Sequence, residues 1–102
     1  MAMEKIVVCW RDIPAQVIIK KGRTRGKAEL SLRFQEAIDR AAMRAGKGGS
    51  EAYMEDWRRE RSSFATGGDL QELARAEADK IEADWSDERL AELVANKGVA
   101  AD

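Results

Sequence analysis

Histidine is absent from this chain of 102 residues, and cysteine and proline occur once each, as Cys9 and Pro14. Without histidine, the commonest general acid–base near neutral pH and the commonest metal ligand are both missing. A single cysteine can build neither an internal disulfide nor a thiolate metal cage, and such sparing use fits a reducing compartment. With no histidine to activate it, Cys9 reads as a buried strand residue rather than a nucleophile. Long apolar runs are also lacking. The segment from Ile6 to Trp10 is too short for an export signal and runs straight into Arg11 and Asp12. Nowhere does an apolar stretch approach the roughly 18 residues that span a bilayer. The expectations are therefore a cytoplasmic protein with no membrane contact, no catalytic residue, no metal ligand and no cofactor.

What the chain does have is charge. Lys, Arg, Asp and Glu make up 36% of it, against the usual quarter, which implies surface-rich helices over a thin core. Through Ser62, 14 basic residues face 9 acidic ones, a net of +5; from Ser63 onward, 4 face 10, a net of −6. The acidic half can fold back and neutralise the basic half, or the basic half can serve as a field for a partner. Sequence leaves both open.

Residues 5–10, "KIVVCW", are β-branched and aromatic on both faces, the mark of an inner strand. After the corner "RDIP", "AQVIIKK" is again β-rich, with Pro14 suited to its entry. Gly22 and Gly26 in "KGRTRGK" suit a hairpin loop, and "KAELSL" then alternates like an edge strand, which predicts a meander of about three strands. From about Ser31, which suits the N-cap, the period becomes helical, with Leu30, Phe34, Ile38, Ala41, Ala42 and Ala45 on one stripe and Gly46 as a stop. Ser50 begins a second helix carrying Tyr53, Met54, Trp57 and Arg61. "SSFATGG" reads as a mobile connector. Asp69 and Glu72 form a capping-box pair opening a third helix to about Asp84, and Ser86 suits the cap of a further segment that Gly98 ends, read either as a fourth helix or as a continuation of the third. "VAAD" reads as a disordered tail. The predicted fold is α+β: a small antiparallel β-meander packed by two helices, with an acidic helical C-terminal arm. Length suits a single domain, 1–102, with a core over 5–61 and the arm over 69–98.

Two constellations could carry function. Lys20, Lys21, Arg23, Arg25 and Lys27 crowd one hairpin, where clustered cations favour phosphate or carboxylate groups. A solvated tip, a protein or anion contact, and nucleic acid are the three readings. Nucleic acid is the weakest, since the chain has a pI near 5.6 and no aromatic residue interleaves the loop. The corner "WRDIPAQ" brings Trp10, Arg11, Asp12 and Gln16 together on a proline-stiffened turn, as a binding edge or as core and internal ion pairs. Arg40 and Arg44 share one face of the first helix, and Arg58 and Arg59 follow Trp57; both groups read as solvated faces.

The stretches "VVCWRDIPAQVIIKKGR", "RFQEAIDRAAMRAG" and "YMEDWRRER" resemble the virulence factor domain family of small bacterial proteins, over about residues 5–61. The resemblance brings no enzyme activity and no catalytic residue. It implies an accessory role beside one-carbon enzymes such as methylenetetrahydrofolate reductase or methyl-transfer proteins. The leading expectation is therefore an interaction module with a protein partner, in which Trp10 is the apolar anchor, Arg11 and Asp12 set register, and the hairpin cations steer. A small anionic ligand held by the same cations is the alternative; an enzyme in its own right, with carboxylates or the tyrosine moving protons, and a nucleic-acid binder rank below it, and self-association stays open.

Overall fold

A computed structural model describes residues 3–64 and 67–100. The elements run β1 (Met3–Trp10), β2 (Ile13–Lys21), β3 (Thr24–Glu29), α1 (Leu32–Arg44), α2 (Ser50–Glu55), β4 (Trp57–Phe64), α3 (Leu70–Asp84) and α4 (Asp87–Ala95). The sheet has order β3-β2-β1-β4 with every pair antiparallel. The architecture is α+β, as the sequence predicts, but with four strands rather than three.

The extra strand is β4, "WRRERSSF", which sequence periodicity assigns to the second helix and the connector after it. Arginine and glutamate are good helix formers, so local propensity argues for helix. Pairing along all eight residues of β1 overrides it, from Met3 opposite Phe64 to Trp10 opposite Trp57. The expected mobile connector is thereby corrected as well: Ser62, Ser63 and Phe64 belong to β4, while Ala65 and Thr66 lie outside the described residues.

The β2–β3 hairpin closes at Lys21 opposite Thr24, with Gly22 at φ 61°, where a side chain would clash with the backbone. Gly26, expected in the loop, lies instead within β3 beneath the start of α3. Pro14 stands at the entry of β2, where the β1–β2 register shifts.

The main core joins Trp10, Ile13, Val17 and Ile19 of the sheet to Phe34, Ile38, Ala41 and Ala42 of α1. Ala74 and Ala78 of α3 and Leu90 and Leu93 of α4 belong to the same cluster, so the acidic helices share the core of the strands. Small side chains let these helices approach closely. Their caps are those read from sequence: the Glu72 amide donates to Asp69 Oδ2 at 3.0 Å and the Arg89 amide to Ser86 Oγ at 3.1 Å. Ser31 does not cap α1 through its side chain; its hydroxyl donates instead to Glu82 Oε1 at 2.9 Å.

Charge neutralisation between the halves runs through two residues away from the hairpin tip. Lys5 meets the nearly buried Glu77 of α3 at 3.0 Å. Arg33 donates to the Trp85 and Glu82 carbonyls at 2.7 and 2.9 Å and to Asp87 Oδ1 at 3.0 Å, fastening the α3–α4 corner. Of the expected disordered tail, Val99 and Ala100 are placed, and the Ala100 amide donates to Asp12 Oδ2 at 2.6 Å; Ala101 and Asp102 lie outside the described residues.

Candidate functional site

The corner and the hairpin tip lie at opposite ends of β1 and β2, about 25 Å apart at the rise of an antiparallel strand. They do not form one surface. At the corner, Trp10 is 0% exposed, its indole N–H donates to the Tyr53 carbonyl at 2.8 Å, and the two rings stack at 6.0 Å. A side chain buried and satisfied in this way cannot anchor a partner, so the expectation for Trp10 is corrected to a core role.

Arg11 and Asp12 are also turned to internal work. Arg11 adopts φ 53°, its amide donates to the Asp56 carbonyl at 3.0 Å, and its guanidinium reaches Asp56 Oδ2 and the Lys97 carbonyl. Asp12 accepts from Ala100 N–H and pairs with Arg58 at 3.0 Å. The Ala100 amide first, and the Arg58 guanidinium beside it, hold the Asp12 carboxyl below the usual carboxylate range against partial desolvation. Both side chains, expected to set register on a partner, are instead engaged within the chain, tying the corner to residues 56–58 and 97–100. Cys9 is buried beside this corner, and desolvation, with Glu60 nearby, pushes its thiol up to about 11.

The hairpin cations have a different setting. Lys21, Arg23, Arg25 and Lys27 are exposed and Lys20 half-buried, and none of the five makes an ion pair among the described residues. Residues directly opposite in the register share a face. Lys20 and Arg25 therefore point to one side, Lys27 and Ile18 follow on the same side, and Lys21 points to the other.

That side of the sheet carries a second small cluster, Ile6, Val8 and Ile18, against which Trp57 packs and in which no helical residue takes part. One cross-strand row runs Glu29, Gln16, Val8, Arg59 across all four strands, and the next runs Lys27, Ile18, Ile6, Arg61. Along the first row lie two adjoining clefts, of about 470 and 650 Å³, both lined by Gln16 and Trp57 and together termed the groove. Leu32 and Gln35 wall one end and Tyr53 and Met54 the other. Leu32 is 69% and Met54 64% exposed, so their apolar side chains are open to the clefts they border. Gln16 is thus the one corner residue that faces open ground. Sequence reasoning did not find the contributions of Leu32, Met54 and Trp57. The available signal was Leu32, which stands at the start of α1 outside its buried stripe.

Among the described residues no group of three Cys, Asp or Glu is placed to hold a metal, and no helix is long and apolar enough to cross a membrane. A family profile described as "Virulence factor" matches residues 8–94, most of the chain. The protein belongs to the virulence factor family. The match runs past the motifs recognised at 5–61 and takes in α3 and α4, so the family unit includes the acidic helices that share its core. No curated protein and no solved structure is significantly similar to this family member.

Proposed function

We propose that the chain is a non-catalytic interaction module, an accessory subunit whose partner is a one-carbon enzyme such as methylenetetrahydrofolate reductase or a methyl-transfer protein. The observation that supports a partner is the division of charge. The acidic helices are met by Lys5 and Arg33, which leaves Lys20, Lys21, Arg23, Arg25 and Lys27 without ion pairs among the described residues. Exposed cations without ion pairs suit an acidic protein surface, with charge governing encounter and register. The one-carbon assignment is supported by the family resemblance alone.

Pull-down of tagged protein from native extract at low and moderate salt tests it, with Arg23→Glu/Arg25→Glu as the comparison. A stoichiometric one-carbon enzyme should be retained at low salt, and the charge reversal should weaken retention about tenfold or more and flatten its salt dependence. Retention unchanged by the reversal would remove the hairpin from the contact. The same cations favour a second reading, a small anionic ligand; a melting temperature that rises with added phosphate or polyglutamate, with no protein retained, would favour that one.

A further inference from the structure

The groove has a length, a lining and a charge pattern that narrow what it can accept. Its floor crosses four strands, three spacings of about 4.8 Å, or roughly 14 Å. At 1.5 Å per residue that is the length of about nine residues of α-helix, room for apolar side chains at i, i+3 or i+4, and i+7. The lining offers them Val8, Trp57, Leu32 and Met54, with the Gln16 amide at the centre. The charges bordering the groove are not balanced. Glu29 is the sole carboxylate of the floor row, whereas Arg59 ends that row, Lys27 begins the next, and neither Arg59 nor Lys27 has an ion partner among the described residues.

Burial points the same way. Apolar residues on both faces of a sheet ordinarily imply cover on both; the Ile6–Val8–Ile18 cluster is only 2–9% exposed, yet among the described residues no helical side chain belongs to it and α2 only borders it through Tyr53 and Met54. The register places the stems of Lys27 and Arg61 beside it, so long charged side chains serve as partial cover. The chain's own acidic helices cannot occupy the groove, because Ala74, Ala78, Leu90 and Leu93 commit their apolar faces to the main core.

We propose that this groove is the docking site for a short amphipathic helix of a protein partner, one that presents about three apolar side chains to the Gln16–Trp57 floor and carboxylates toward Lys27 and Arg59. This rests on the reading of the chain as an interaction module and adds where, and to what, it binds.

The probe is a synthetic helical peptide of about fourteen residues with Leu at i, i+3 and i+7 and Glu on its flanks. Two controls accompany it: Leu→Ser at unchanged charge, and Glu→Lys at unchanged apolarity. Titration of the isotope-labelled full chain, followed by amide and indole N–H shifts, should move Val8, Gln16 and Trp57 with the Leu/Glu peptide and not with either control. Leu32→Glu/Met54→Glu should weaken binding about tenfold or more, and both sites are exposed enough for the variant to fold, which circular dichroism would verify. Lys27→Glu/Arg59→Glu should weaken it and flatten its salt dependence. Equal binding of the Ser control, or shifts confined to residues 20–25, would overturn the groove while leaving a charge-led partner in place. Shifts at the groove that appear with protein concentration alone would overturn the partner helix in favour of a second copy. Absence of peptide binding, in a preparation that still retains a partner from extract, would overturn the groove but not the interaction module.

Discussion

Gly26 is the position where a single added methyl group should do the most harm. A Cβ built there would lie 2.2 Å from both C and O of Leu70 and 2.4 Å from the Gln71 amide nitrogen, all backbone atoms that cannot rotate aside. Ordinary contact needs about 3.5 Å, so the first turn of α3 would have to retreat by more than about 1 Å. That retreat stretches two hydrogen bonds now at 3.0 and 2.6 Å, in which the Gln71 side chain accepts from the Lys27 amide and donates to the Lys27 carbonyl. Losing both costs about 2 kcal/mol net, and overpacking adds about 1–3 kcal/mol. Reduced freedom of the unfolded chain offsets about 0.4–1 kcal/mol. Gly26→Ala should therefore destabilise by about 3 kcal/mol, or roughly 12–24 °C in Tm for a domain of this size. Urea and thermal unfolding followed by circular dichroism would measure it. Gly67→Ala is the control: nothing lies within 4 Å of its added Cβ, and its effect should stay within about 0.5 kcal/mol. If Gly26→Ala and Gly67→Ala prove equally stable, the docking of α3 on β3 is not as described.

The remaining predictions concern the corner. Cys9 is buried with its thiol pushed up to about 11, so it should resist aromatic disulfide reagents near neutral pH in the native protein and react at once in denaturant; rapid native labelling would contradict its burial. Asp12 has its folded pKa below the unfolded value, so its contribution is present above about pH 4 and is lost as pH falls through the folded pKa. Asp12→Asn should accordingly be less stable than the parent in urea near pH 7, with the gap narrowing as the pH falls below about 4. A gap that does not change with pH would show that the carboxylate charge is not what holds the 97–100 segment. The hairpin charge reversal and the groove variants described above complete the set.

Much of the fold was legible because its signals are local. The β-branched runs of β1 and β2, the stripe of α1, and the caps at Asp69 and Ser86 each act within a few residues, and each element formed where those signals lie. The edge strand was not legible. "WRRERSSF" has no alternating apolar face, and only its partner β1, more than fifty residues earlier, makes it a strand. Gly26 was legible as a glycine but not for its reason, since it is spared a side chain by the backbone of α3 rather than by a turn. The site divided in the same way. The cationic hairpin was readable from composition, whereas the inward commitment of Trp10, Arg11 and Asp12 depends on Tyr53, Asp56, Arg58, Gly98 and Ala100, all distant in the chain.

By itself, then, the sequence determined the strands and helices whose patterns are written in short windows, the family, and the uneven distribution of charge. Tertiary structure alone decided which charges are spent and which remain, because ion pairing depends on distances across the fold: Lys5 and Arg33 pair with the acidic helices, and among the described residues the hairpin cations form no ion pair. It also made the groove, since Gln16 and Trp57 come to line the same clefts, with Leu32 at one and Met54 at the other, only when β4 pairs with β1 and α1 and α2 are brought beside them.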